Sequence, residues 1–169
     1  ESPVSISQRY EIDAQGIRIF DQRYPYTGDN NVHCKIKTVS LQGEHSEVNL
    51  FPACSTINEP DAYIARISWH PNSVQLAVQK QSRNQQQLEL LLLNIDNSAA
   101  QCLLEENHAT WINLFDDFKF IDNGDYFIWP SERSGSKQLH LFNTNTQQDL
   151  GIISPLASRT ETCMACLQQ

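Results

Sequence analysis

The sequence predicts an all-β chain: a partial β-propeller with two complete four-stranded antiparallel blades and the outer strands of a preceding blade. Three observations carry this. Short apolar alternations recur between turn-forming residues, with almost no helical period to compete. A whole unit repeats at an offset of 51 residues. Ile67 falls on Phe118, Trp69 on Phe120, Asn72 on Asn123, Leu76 on Phe127 and Val78 on Trp129, then Leu88 on Leu139, Leu90 on Leu141 and Cys102 on Ile153. That period lies near those of propeller repeats, and a small antiparallel sheet with two apolar faces buries both by stacking between neighbours. A twisted β-sandwich is the alternative architecture.

The elements follow in order. Tyr10 and Ile12, then Ile17 and Ile19, flank Ala14-Gln15-Gly16, which reads as a hairpin turn. Residues 23–31, rich in Pro, Gly, Asp and Asn, read as a loop. Val32 to Leu41 reads as a strand with Val39 and Leu41 as its apolar end. Residues 42–44 turn, Glu47 to Phe51 form a short strand, and 52–60 form a loop. The first full unit has strands at Tyr63–Trp69, Leu76–Gln79, Leu88–Ile95 and Gln101–Leu104, with His70-Pro71-Asn72-Ser73 as its first turn. The second has Phe118 and Phe120 alternating in its first strand and Asp122-Asn123-Gly124 as the turn. Tyr126 and Ile128 oppose Phe127 and Trp129 on its second strand, which is apolar on both sides as a doubly buried strand requires. Residues 131–136 turn, Leu139 and Leu141 mark the third strand, and Leu150 to Ile153 the fourth. The blades span approximately 1–51, 63–105 and 109–154, within a propeller segment 1–155. Residues 156–169 match nothing in the repeat. Two blades are fewer than the roughly four of a closed ring, so the expectation is an incomplete one.

With 169 residues, 40% hydrophobic and 19% charged, the chain is globular and large enough for one core. Its net charge of −8 argues against nucleic-acid binding, which calls for a basic stripe. No apolar run approaches the roughly 20 residues of a helical membrane span. Five cysteines cannot all pair within one chain. Cys34 and Cys102 sit in strand-like runs and read as small core residues. Cys163 and Cys166 have the spacing of a metal or redox half-site, without a second pair to complete it.

No catalytic set is readable. There is no GxSxG nucleophile elbow, and Ser134-Gly135-Ser136 belongs to a hairpin. The five histidines lack metal-ligand spacing, and no metal or other cofactor is expected. His70 reads as a turn residue, and His140 as facing away from Leu139 and Leu141. Asp116 and Asp117 are adjacent on an extended chain, so they point apart and do not chelate together; turn capping is their structural role. Trp111 and Phe115 either pack between blades or line a pocket. Glu132-Arg133, at a hairpin tip, reads as a solvated pair.

Four collinear segments resemble the dipeptidyl peptidase IV group of the prolyl oligopeptidase family. They are residues 1–4; residues 23–31, RYPYTGDNN; residues 63–69, YIARISW; and WINLFDD at 111–117 with SERSG at 131–135. The resemblance implies a propeller that precedes an α/β-hydrolase domain carrying Ser, Asp and His, in a periplasmic or secreted enzyme. The reaction it implies is release of N-terminal dipeptides with Pro or Ala second. The substrate is a peptide whose amine is held by a glutamate pair expected upstream of Glu1, with the triad downstream of Gln169. It also implies that Trp111, Asn113, Phe115 and Asp116 approach the substrate pocket. Where the family has an aromatic residue and Arg-His after the glycine, this chain has Ser136-Lys137-Gln138. The partners expected are the missing blades, the hydrolase domain and further copies of the chain, since uncovered strand edges pair. The alternative is a free-standing interaction module.

Overall fold

The computed structural model describes residues 4–58 and 62–154. The tail 156–169, with Cys163 and Cys166, and the first three residues lie outside the described residues, as does Pro60.

The chain is built of strands. β1 (Ile6–Asp13) and β2 (Gly16–Arg23) form one two-stranded sheet, and β3 (Ile36–Val39) and β4 (His45–Val48) another. β5 (Tyr63–Trp69), β6 (Gln75–Gln81), β7 (Gln87–Asn94) and β8 (Ala100–Asn107) form a four-stranded antiparallel meander. β9 (Lys119–Ile121), β10 (Tyr126–Ser131), β11 (Gln138–Asn143) and β12 (Asp149–Ile152) form a second meander in the same order. A single 3-10 turn, Asp122–Gly124, joins β9 to β10.

The central blade is buried on both faces, and β7 shows how. Leu88, Leu90 and Leu92 enter a core with Phe127, Trp129 and Phe142 of the last blade. Leu91 and Leu93 enter a second core with Val48 and Leu50, joined by Ile36 of β3. The period-2 alternation of a strand thus divides one leucine run between two cores.

The repeat holds through the first two strands and then shortens. Trp69 pairs with Leu76 and Phe120 with Phe127, equivalent pairs at the expected offset. Leu76 pairs with Leu93, however, whereas Phe127 pairs with Phe142. The offset therefore closes to 49, and the gap-free alignment fails beyond the second strand. Leu90 corresponds to Leu139 rather than Leu141, and Cys102 to Ile152 rather than Ile153. Leu88 has its counterpart ahead of β11. Trimming one residue from each side of a hairpin leaves every remaining side chain on its own face, so the core survives the change.

Four smaller expectations are corrected. β3 begins at Ile36, so Cys34 lies in the preceding loop and is exposed. Leu41 is fully exposed at a turn tip, because the Ser40 hydroxyl accepts the amides of Gln42 and Glu44 and ends the strand there. Val39 is exposed as well. β4 ends at Val48, ahead of the expected Phe51. Cys102, by contrast, is partly buried against the second core, and burial with the nearby Glu89 and Cys54 pushes its thiol up to about 11.

His70 does more than turn the chain. Its Nδ1 accepts the amide of Asn72, so Nε2 carries the proton and faces the Gly124 carbonyl at 3.3 Å. Its ring meets Phe120 edge-on with centroids 4.6 Å apart. The first turn of one blade thus seats on the first turn of the next.

Candidate functional site

The linker from His108 to Phe118 carries the predicted site residues. Its backbone is fastened to the tip of the β6–β7 hairpin. His108 donates to the Gln86 carbonyl at 2.9 Å, and Ile112 to the Gln85 carbonyl at 2.8 Å. Gln81 returns a bond from its amide to the Ile112 carbonyl at 3.0 Å. Ile112 and Leu114 turn inward onto the core between the blades, as does Phe118. That alternation sends Trp111 and Asn113 outward.

Those outward residues wall a cavity of about 390 Å³. Trp111, Asn113 and Phe115 form its linker side. Glu105 and Glu106, at the end of β8, and Glu132 and Arg133, at the tip of the β10–β11 hairpin, close the rest. Trp111 is exposed, so packing between blades does not describe it. Phe115 is half-buried, and the Lys137 ammonium lies 4.7 Å from its ring centroid. Asp117 holds that ammonium at 2.6 Å. Lys137 and Gln138 stand where the resemblance implies Arg-His.

Asp116 stands apart from the other three predicted residues and does not wall the cavity. It pairs with Arg66 of β5 at 2.6 Å, in a largely exposed contact of small energetic worth. Asp116 and Asp117 do point apart, each to its own cation, and this pairing rather than turn capping is their contact.

Glu132 and Arg133 are both exposed at the hairpin tip, as expected, but each is bonded to other residues rather than to its neighbour. The Arg133 guanidinium donates to Glu106 at 2.9 Å, to Asp149 at 3.3 Å and to the Ser131 hydroxyl at 3.0 Å, and it lies over the Phe142 ring. Glu106 also accepts the Trp129 indole N–H, and Asp149 accepts from His140 Nδ1 at 3.0 Å. His140 faces the core between the blades beside Phe142, away from Leu139, as expected. Glu132 accepts from the Asn113 side-chain amide at 2.6 Å.

Sequence reasoning missed Glu106, Glu132 and Arg133 as cavity residues. The signal was topological. In a four-stranded meander the second turn and the link to the next blade lie at the same end of the sheet. The SERSG turn and the WINLFDD linker are therefore neighbours whatever their separation in sequence. Among the described residues no group of three or more His, Cys, Asp or Glu side chains is placed to hold a metal. No helix is long and apolar enough to cross a membrane.

The stacked meanders and the linker between them define a segment of a β-propeller. Over residues 1–161 the chain matches the family described as the dipeptidyl peptidase IV (DPP IV) N-terminal region, and it belongs to that family. Among solved structures it is similar to one from Bacteroides ovatus described as a dipeptidyl aminopeptidase IV. The TM-score is 0.69 and the identity 25%, over 84% of this chain and 20% of that one. It is also similar in fold to dipeptidyl peptidase 4 of Porphyromonas gingivalis, with a TM-score of 0.74 and 19% identity, over 90% of this chain and 21% of that one. The chain therefore spans about a fifth of each of these relatives.

Proposed function

We propose that this chain is part of the propeller of a DPP IV-like serine exopeptidase that releases N-terminal dipeptides with Pro or Ala at the second position. In this reading the linker from Trp111 to Asp117 shapes the pocket for the substrate's N-terminal residue. The observation that carries it is the cavity walled by Trp111, Asn113 and Phe115, on a chain of this family. An aromatic wall beside convergent polar groups suits a peptide end, which offers an apolar side chain and a charged amine together. Asp116 belongs to this reading as a residue of the same linker, although it lies outside the cavity wall and pairs with Arg66. Acyl transfer needs a nucleophile, a base and an oxyanion hole, and these belong to the hydrolase domain the reading calls for. The blade boundaries proposed are those of the sequence repeat.

The test is dipeptide release from Ala-Pro and Gly-Pro amides by the enzyme bearing this segment, with and without Trp111→Ala. The variant is expected to raise KM. A KM equal to that of the unaltered enzyme counts against the pocket role.

A second reading, an interaction module, is favoured by one feature. Tyr10, Ile12, Ile17 and Ile19 share one face of the β1–β2 ribbon, in register, and all are exposed. Self-association through that face is compatible with either reading.

A further inference from the structure

We infer that Glu132 is a positioning residue: it sets the Trp111 wall of the cavity by fixing the amide orientation of Asn113. The chain of contacts has two links. The Asn113 Nδ2 donates to a Glu132 carboxylate oxygen at 2.6 Å, and the Trp111 Nε1–H donates to the Asn113 Oδ1 at 3.2 Å.

The chemistry of the two ends dictates the middle. A carboxylate only accepts, and an indole N–H only donates. One orientation of the Asn113 amide satisfies both: nitrogen toward Glu132, oxygen toward Trp111. The short, charge-assisted bond to the carboxylate is the stronger link, so it decides which way the amide faces. Trp111 is 59% exposed and has little packing to hold its ring. Its polar edge is therefore its anchor.

The arrangement spans two blades. The linker backbone is bound to the β6–β7 hairpin, while the Trp111 edge is set from the β10–β11 hairpin through Asn113. Arg133, next in sequence, is held by Glu106, Asp149 and Ser131, so the hairpin tip that presents Glu132 is itself fixed.

This inference depends on the pocket reading for its functional meaning, but its test does not. The indole N–H resonances of the three tryptophans are followed in the 169-residue chain, with Trp111 assigned by Trp111→Phe. Glu132→Gln retains an acceptor oxygen and is expected to leave the Trp111 resonance in place. Glu132→Lys offers only donors. Asn113 must then turn its oxygen to the ammonium and its NH₂ to the indole, donor against donor, and the Trp111 resonance is expected to move to the position of a water-exposed indole. Trp129, bound to Glu106, reports in both variants that the blades remain folded. A Trp111 resonance unmoved in Glu132→Lys overturns the inference. So does one displaced as far in Glu132→Gln as in Glu132→Lys. The enzyme bearing this segment is then assayed on an Ala-Pro amide with Trp111→Ala. A Trp111 resonance that follows residue 132, with a KM that ignores Trp111→Ala, counts against the pocket reading and leaves the positioning role standing.

Discussion

Lys80 and Glu89 face each other across the β6–β7 ladder, and both side chains are wholly buried. The Ser55 hydroxyl lies between them, accepting from the Lys80 ammonium at 2.9 Å and donating to the Glu89 carboxylate at 2.7 Å. Glu89 also accepts from the Thr56 hydroxyl and from the amides of Thr56 and Ile57, while Lys80 donates to the Leu50 carbonyl. Two buried charged groups on the central blade, bridged by the Ser55 hydroxyl, thus fix the segment that leads in from β4.

Burial pushes the Glu89 carboxyl up, but the bonds from Ser55, Thr56 and Ile57 outweigh it and hold the group below the usual carboxylate range. A lowered folded value contributes stability above the unfolded carboxyl pKa of about 4.3, lost as pH falls through the folded value. Glu89→Gln is therefore expected to cost about 1.5–3 kcal/mol near neutral pH, the range for hydrogen bonds to a charged group. The difference from the unaltered chain should shrink in acid. Urea unfolding at a series of pH values checks this, and a gap that stays constant below about pH 4 contradicts it.

Gly124 has no room for a side chain. Its φ is +99°, and a Cβ there would overlap the imidazole of His70. Gly124→Ala must strain the turn and displace His70 from its seat between the blades. The expected cost is about 1–3 kcal/mol, from backbone strain alone. For a domain of this size that lowers Tm by about 2–4 °C per kcal/mol in a calorimetric scan. An unchanged melting temperature would show that the two turns are not in close contact.

The chain is expected to self-associate through the β1–β2 ribbon. The opposite face of that ribbon bears Arg9, Glu11, Asp13 and Arg18, with Arg9–Glu11 and Arg18–Asp13 ion pairs, beside Phe20, so it is the more charged of the two. Covering the apolar side removes large exposed groups from water. Ile12→Lys with Ile17→Lys should shift the mass in light scattering toward the monomer. Strict monomer behaviour of the unaltered chain at high concentration counts against this expectation.

Much of the fold was legible in the sequence because its signals are local. Alternation marked β5 to β7 and β10, and Asn and Gly marked the turns. Tyr126 and Ile128 against Phe127 and Trp129 announced a strand buried on both sides, and Phe127, Ile128 and Trp129 are buried. The trimmed hairpin was not legible, since a paired deletion preserves alternation and leaves no local trace. Cys34 was misjudged for a different reason: its flanks resemble a strand, but the pairing partner, β4, ends at Val48 opposite Ile36. For the candidate site, residue types pointed to the linker but not to Glu132 or Arg133. Their role depends on which turns share an end of the sheet, which becomes readable only once the strand order is known.

The central claim is that the linker shapes a substrate pocket, and Phe115→Ala in the enzyme bearing this segment tests it most directly. Two quantities are measured together: kcat/KM for an Ala-Pro amide and Tm. If the ring is buried against substrate, kcat/KM should fall by about 1–3 kcal/mol of transition-state binding, roughly 5- to 150-fold. The melting temperature should change little, since the ring is only partly buried in the folded chain, with Lys137 as its charged neighbour. Unchanged kinetics with a lowered Tm would make Phe115 a packing residue and contradict the account.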